Sequence, residues 1–86
     1  MKLKIFSQNV CPACRNLENY MSNEHPETEY EHINIDESPE AVDEYAIMGT
    51  PTIVLWDEDD QEEVARHTGF DFGPGKEYVL SLIAEL

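Results

Sequence analysis

The chain has 86 residues, enough for one domain around one small apolar core and too few for a second site or a regulatory lobe. Nineteen Asp and Glu against five Lys and Arg give a formal net charge of −14. This charge argues against nucleic acid and anionic membrane surfaces as partners, because phosphate binding needs clustered Lys and Arg. We expect residues 1–86 to form a single domain and, because such acidic molecules repel one another, a monomer.

The first half of the chain predicts a strand, a helix and a second strand. Residues 3–7 are typical of a short strand, and a helix begins at Pro12, since the first helical turn needs no backbone N–H there. Apolar residues at helical spacing give this helix one buried face: Ala13, Leu17, Tyr20 and Met21. Residues 30–35 then form a second strand, with Ile33 and Ile35 on one face.

The second half predicts a short helix, a hairpin and a last helix. The short helix has Ser38 as its N-cap and Pro39 in its first position, and it runs to about residue 46. Residues 52–56 are nearly all apolar, as in a central strand covered on both faces, and residues 63–68 form its antiparallel partner. A C-terminal helix follows residues 73–75, with an apolar stripe of Val79, Leu82, Ile83 and Leu86.

The order of these elements is βαβαββα, which predicts an α/β fold. Its first half is a parallel pair of strands joined by a right-handed helical crossover, and its second half is a hairpin followed by a helix. We therefore expect a four-stranded mixed sheet with helices on both faces. Trp56, the one tryptophan, is expected to pack in or beside the core.

No segment has the pattern of a targeting or membrane sequence. Residues 1–6 carry positive charge, but no apolar run long enough for a signal peptide follows, and no stretch approaches the length that spans a bilayer. We expect the cytoplasm, where two cysteines are more often catalytic or metal-binding than structural. Carboxylates lie in nearly every surface segment. This even distribution favours a role in keeping the protein soluble in a high-salt cytoplasm over a role in attracting basic partners, which would need a local patch.

The motif Cys11-Pro12-Ala13-Cys14 lies in the turn between the first strand and the first helix. Helix N-terminal N–H groups and the helix dipole stabilise negative charge there. A thiolate at Cys11 then has its pKa lowered from about 8.5 toward roughly 3.5–7.5, with Arg15, Pro12 and Ala13 as tuning residues. Two residues separate Cys14 from Cys11, so on a helical turn Cys14 lies close to the Cys11 sulfur. It can therefore resolve a mixed disulfide within the same chain. We therefore expect Cys11 to be the nucleophile and Cys14 the resolving cysteine.

Other uses of the cysteine pair stay open at this point. A purely structural disulfide would close a loop of only four residues and stabilise the fold by about 2 kcal/mol, less than a longer loop would. A closed metal site needs four ligands, of which one pair supplies two, and His25, His32 and His67 lack zinc-motif spacing. Two non-enzymatic functions also stay open. One is a metal or iron–sulfur carrier, with a cluster shared between chains, and the other is an acidic partner-binding module with vestigial cysteines.

A second motif, Gly49-Thr50-Pro51-Thr52, stands directly before the apolar run of residues 53–56. Proline is tolerated at the first position of a strand, so this proline alone indicates only where the strand begins. Combined with the CxxC motif, with Asn34-Ile35-Asp36 and with Gly69, it makes the chain resemble the thioredoxin superfamily over essentially its whole length. The resemblance is nearest to the small, glutaredoxin-sized thioredoxins of archaea and bacteria, which have a minimal thioredoxin fold.

The resemblance implies a thiol–disulfide oxidoreductase that reduces protein disulfides. In that family the proline corresponding to Pro51 is cis and packs beside the cysteines, and the preceding residue, here Thr50, offers its backbone to the substrate as an added strand. Gly69 and Phe70 are expected to complete this substrate groove. The redox-active disulfide is then the only cofactor, the partners are disulfide-containing client proteins, and a thioredoxin-reductase-like protein supplies the electrons.

The chain departs from both subfamilies at several positions. Gln8 stands where glutaredoxins often have a lysine, and their glutathione-holding glycine pair is incomplete, yet a glutathione-dependent glutaredoxin stays the alternative function. Ile5 and Val10 occupy the places of the buried acid and the tryptophan of thioredoxins. His32 lies near the place of their partner lysine, either helping to deprotonate the second cysteine or as a solvated surface residue.

Overall fold

The computed structural model describes all of residues 1–86 and contains four strands and three helices in the order βαβαββα. The strands are β1 (Lys2–Ser7), β2 (Glu31–Asn34), β3 (Thr52–Asp57) and β4 (Glu62–Thr68). The helices are α1 (Pro12–Glu24), α2 (Glu40–Glu44) and α3 (Pro74–Ile83). None of the three helices combines the length and apolar character that crossing a bilayer requires.

The four strands form one mixed sheet in the order β2-β1-β3-β4, which confirms the predicted fold. β1 runs parallel to β2 and antiparallel to β3, and β4 is antiparallel to β3. Ser7 is paired with Asn34 and Phe6 with Thr52, so the C-terminal ends of β1 and β2 meet the N-terminal end of β3. The loops that follow β1 and β2 and the loop that precedes β3 therefore lie side by side at one end of the sheet.

Each face of the sheet carries its own apolar cluster, because successive strand side chains point to opposite faces. The larger cluster packs under α1 and α3, and its members are Leu3, Ile5, Leu17, Tyr20, Met21, Ile53, Leu55, Phe70, Val79 and Leu82. The smaller cluster packs under α2, and its members are Phe6, Ala41, Ile47 and Val54. Helices thus cover both faces, as the strand and helix order predicts.

The smaller cluster is extended by aromatic residues that surround a buried lysine. Trp56 packs against this cluster, as predicted. The Lys4 ammonium lies 4.4 Å from the centroid of the Trp56 ring and donates a hydrogen bond to the Tyr45 hydroxyl at 2.9 Å. Lys4 is 8% exposed, so these aromatic contacts offset part of the cost of burying its charge.

Two elements are shorter than the sequence predicts. β2 comprises Glu31–Asn34 rather than residues 30–35. In α2, the prediction of Ser38 as a side-chain cap is wrong: Pro39 holds the N-cap position, the helix begins at Glu40, and no side chain caps it. Ser38 contributes its backbone carbonyl instead, which accepts a hydrogen bond from the Ala41 N–H at 3.0 Å. The backbone alone therefore satisfies this first turn.

The C-terminal helix begins earlier and ends earlier than predicted. α3 starts at Pro74, within the predicted loop, because proline suits the first helical position. The Asp71 carboxylate fixes this start by accepting the N–H groups of Gly73 and Gly75 at 2.9 and 3.0 Å. The helix ends at Ile83, so Leu86 lies beyond it and is 47% exposed, outside the apolar stripe that the spacing predicts.

Arg66 of β4 holds the segment between α2 and β3 in place through hydrogen bonds. Its guanidinium donates to both Glu63 carboxylate oxygens at 2.6 and 2.7 Å and to the carbonyls of Tyr45 and Ala46 at 2.6 and 3.1 Å. These hydrogen bonds hold the pKa of Glu63 below its ordinary value. Since the folded pKa lies below the unfolded one, the pair stabilises the fold above the ordinary carboxyl pKa. The contribution is lost as the pH falls through the lowered value.

Candidate active site

The two cysteines form a disulfide at the start of α1, with their Cα atoms 5.2 Å apart. Cys11 is the N-cap residue of the helix and has extended backbone angles. Its sulfur accepts the Cys14 N–H at 3.1 Å, in the place where a capping Ser or Asp oxygen usually lies. Pro12 follows at the first helical position, where no N–H has to be satisfied.

The electrostatics of this helix start favour negative charge on the Cys11 sulfur. The 13-residue helix directs the positive end of its dipole at the cap, and its first turn contains no acidic residue. Both cysteines are buried, Cys11 at 6% exposed and Cys14 at 2% exposed. In the reduced protein, the same N–H group and helix dipole would stabilise a thiolate at Cys11.

The loop before β3 brings a second group of residues to the cysteines. The Thr50–Pro51 peptide bond is cis. The Thr50 hydroxyl lies 3.5 Å from the Cys11 sulfur and donates to the Gln8 side-chain oxygen at 2.6 Å. The Pro51 carbonyl accepts the Gly69 N–H at 2.7 Å, and Gly69 has a φ of 93°, which favours glycine. The structure thus places the Thr50 hydroxyl beside Cys11, and it joins Gly69 to Pro51, the next residue of the chain.

The family model described as "Thioredoxin domain" matches residues 1–66 of the chain. The chain belongs to the thioredoxin family. Its CxxC pair makes it a disulfide oxidoreductase of that family, with Cys11 and Cys14 as the redox disulfide.

Two curated relatives show the same kinship along the sequence. The chain is 37% identical over 59 residues to a thioredoxin of Methanocaldococcus jannaschii, which covers 64% of this chain and 69% of that protein. It is 31% identical over 70 residues to the SPbeta prophage-derived thioredoxin-like protein YosR of Bacillus subtilis, which covers 81% of this chain and 84% of that protein. The chain is thus similar to thioredoxins of an archaeon and of a bacterial prophage.

Solved thioredoxin structures share the fold. The oxidized form of mitochondrial thioredoxin 3 from Saccharomyces cerevisiae aligns with a TM-score of 0.76 at 18% identity, covering 98% of this chain and 76% of that one. Thioredoxin 1 from Thermosipho africanus aligns with a TM-score of 0.70 at 20% identity, covering 99% and 92%. At these identities the likeness establishes the shared architecture.

Two predicted site residues have a different environment from the one expected. Phe70 is 8% exposed and packs in the larger core cluster, with its ring centroid 5.6 Å from that of Tyr20. Its part in a substrate groove stays a prediction. The Arg15 guanidinium donates to the Asn9 carbonyl at 3.4 Å and forms no hydrogen bond with either sulfur. Arg15 therefore contacts the loop before Cys11, and its influence on a thiolate stays a prediction.

Three exposed apolar side chains beside the motifs were missed by the sequence reasoning. Val10 directly precedes Cys11 and is 87% exposed, and Met48, two residues before Thr50, is 91% exposed. Phe72, three residues after Gly69, is 60% exposed. The available signal was the position of large apolar residues directly beside motif residues.

His32, which the sequence left between two roles, bridges two elements. Its Nε2 atom lies 2.5 Å from the hydroxyl of buried Ser7 in β1 and 3.2 Å from a Glu18 oxygen in α1. The side chain is 44% exposed. His32 is therefore a partnered residue between the sheet and α1. No group of three or more His, Cys, Asp or Glu side chains is arranged to hold a metal ion.

A polar network, also missed from the sequence, holds the loop before Cys11. The Asp36 carboxylate accepts the Asn9 N–H at 2.7 Å, and the Asn34 amide donates to the Asn9 side-chain oxygen at 2.7 Å. The Asn34 oxygen in turn accepts the Asp36 N–H at 2.9 Å. The loop after β2 thereby fixes the position of Asn9, two residues before Cys11.

Asp36→Ala is expected to lower kcat/KM for disulfide reduction about tenfold, since the loop before Cys11 loses a hydrogen bond to a charged acceptor, worth about 1.5–3 kcal/mol. Asp36→Asn keeps an acceptor oxygen and is expected to stay near wild type. As a matched control, Asp57→Ala removes a carboxylate that caps Asp59 and Asp60 N–H groups in the β3–β4 turn. Equal losses of kcat/KM in Asp36→Ala and Asp57→Ala would contradict the positioning role.

Proposed function

We propose that this thioredoxin-family protein is a dithiol reductant of protein disulfides in which Cys11 attacks and Cys14 resolves. The observation that carries this assignment is the N-cap position of Cys11, whose sulfur accepts the Cys14 N–H at 3.1 Å. A thiolate at this sulfur gains from the helix dipole and from the N–H group. Cys14 is 2% exposed, so in this proposal it reacts with the Cys11 sulfur and not with a client directly.

The proposed reaction transfers two electrons from the chain to the client. The Cys11 thiolate attacks one client sulfur, the client S–S bond breaks, and the released client thiolate takes a proton from water. Cys14 then loses its proton, and its thiolate attacks the Cys11 sulfur of the mixed disulfide. The second client thiol leaves, and the Cys11–Cys14 disulfide remains. The chain is oxidised by two electrons and the client disulfide is reduced to two thiols.

The proposed client surface surrounds the cysteines. The Thr50 hydroxyl lies 3.5 Å from the Cys11 sulfur, so the Thr50 backbone is near the reacting atoms, and Gly69 lies next to Pro51 through its 2.7 Å hydrogen bond. An extended client segment would pair with this backbone, and the exposed Val10 and Met48 side chains would contact its apolar residues. In this proposal the chain works as a cytoplasmic monomer, needs no cofactor besides its disulfide, and is recharged by a thioredoxin-reductase-like protein.

The test compares two disulfide substrates for the reduced, metal-free protein. We expect stoichiometric reduction of insulin disulfides and no glutathione-dependent turnover of a small glutathione mixed disulfide. The charge of −14 disfavours anionic glutathione, although salt weakens this effect. Turnover of the glutathione substrate with no reduction of insulin would replace the proposal with a glutaredoxin. Failure with both substrates, together with visible absorbance of anaerobically purified protein, would favour a cluster carrier.

A further inference from the structure

The Thr50 hydroxyl has two acceptors within reach but only one hydrogen to donate. In the disulfide form it makes a short hydrogen bond of 2.6 Å to the Gln8 side-chain oxygen. The Cys11 sulfur lies on its other side at 3.5 Å. A disulfide sulfur is a weak acceptor, so in this state the Gln8 amide oxygen accepts the hydrogen bond from the Thr50 hydroxyl.

We propose that Gln8 sets the redox equilibrium of the Cys11–Cys14 pair by competing with the Cys11 sulfur for the Thr50 hydroxyl. When a dithiol reductant such as dithiothreitol reduces the chain, two electrons enter the disulfide and the S–S bond breaks. Of the two reductant protons, one ends on Cys14 and one is released, while Cys11 remains a thiolate and the reductant becomes a disulfide. An anionic acceptor forms a stronger hydrogen bond than a neutral amide.

The competition makes Gln8 oppose reduction. The Thr50 hydroxyl has to leave the Gln8 oxygen before it donates to the Cys11 thiolate, so the 2.6 Å bond stabilises the disulfide form. The Cys14 N–H is not part of this competition, because it donates to the Cys11 sulfur without contacting Gln8. Gln8 thus acts through Thr50 and is a positioning residue rather than a catalytic one.

Gln8→Leu removes the competing acceptor and keeps a side chain of similar size. We expect the equilibrium with dithiothreitol to move toward the reduced form by about threefold to tenfold, the size of one neutral hydrogen bond. For a two-electron couple this is a rise of about 14–30 mV in the reduction potential. We also expect the pH profile of Cys11 alkylation to move to lower pH, because the freed hydroxyl stabilises the thiolate.

The experiment is a double-mutant cycle with Gln8→Leu, Thr50→Val and the double variant, read out by both measurements. The expected result is that Gln8→Leu has no effect in the Thr50→Val background. Gln61→Leu is the matched control, because it removes the other glutamine, which bonds the Glu58 carbonyl in the β3–β4 turn. It is expected to leave both readouts unchanged.

Three outcomes would overturn the inference: no shift in Gln8→Leu, the same shift with and without the Thr50 hydroxyl, or a shift toward the disulfide. The last would mean that the amide donates to Thr50 in the reduced state instead of competing for its hydrogen. The experiment uses only a small dithiol, so it is independent of which client the protein reduces. Mass spectrometry of the alkylated protein separately reports whether Cys11 is the reactive thiol.

Discussion

Cys11→Ser is expected to lose all reduction of protein disulfides above background, because serine at neutral pH supplies no thiolate to attack a client sulfur. Cys14→Ser keeps the attacking sulfur at the N-cap of α1 and lacks only the group that releases it. We therefore expect Cys14→Ser to accumulate a mixed disulfide with the client through Cys11. Insulin reduction with dithiothreitol as the electron source measures the first effect, and mass spectrometry of the acid-quenched mixture measures the second.

The two serine variants control for each other. Each lacks the same disulfide, which closes a loop of four residues, so both lose the same stabilisation of about 2 kcal/mol relative to the oxidised protein. Far-ultraviolet circular dichroism of both variants and of the reduced wild type is expected to be the same. Mixed disulfide in Cys11→Ser through Cys14, or identical behaviour of the two variants, would reverse the assigned roles.

Phe6→Ala is expected to lower the free energy of unfolding by about 3–5 kcal/mol, the usual cost of deleting a buried phenyl ring. Phe6 is 0% exposed and is the largest of the four residues in the smaller cluster, and its ring centroid lies 4.9 Å from that of Tyr45. Because α2 is too short to close over the resulting cavity, little of the loss is recovered. The free energy of unfolding of natural domains is roughly 0.05–0.15 kcal/mol per residue, so this loss is a large share of the whole.

Phe72→Ala is the matched control for the core variant. It deletes the same ring from a position that is 60% exposed, where the ring forms a T-shaped pair with the Phe70 ring. We expect a loss of at most about 1 kcal/mol from this aromatic contact. Denaturant unfolding of reduced wild type and both variants checks the difference. A similar loss in the two variants would contradict the assignment of Phe6 to the core.

The sequence predicts the elements well because most of them bury one regular face. The spacing of Leu17, Tyr20 and Met21 marks the buried side of α1, and all three lie in the larger cluster. The continuous apolar run of β3 correctly predicts a central strand, since β3 pairs on both sides. The cysteine pair at a strand–helix junction likewise predicts its own environment, because the N-terminus of a helix is local structure.

The sequence does not predict contacts between loops that are far apart in the chain. Nothing local to Asn9 indicates that Asp36 accepts its N–H, because the loops after β1 and β2 meet only once the two strands are paired. The environment of Phe70 is unreadable for another reason. Gly69 has a φ of 93°, which breaks the alternation of the preceding strand, so period-two reasoning no longer says which aromatic ring points inward.

The brevity of α2 has a consequence for how the molecule moves. A five-residue helix has no stability of its own, and α2 buries a single residue, Ala41. We therefore expect amide hydrogen exchange to be faster in α2 than in α1, the 13-residue helix that begins beside the two cysteines. The Thr50–Pro51 loop follows α2 in the chain. Local opening is therefore expected to affect the segment that leads to Thr50 and Pro51 more than the start of α1.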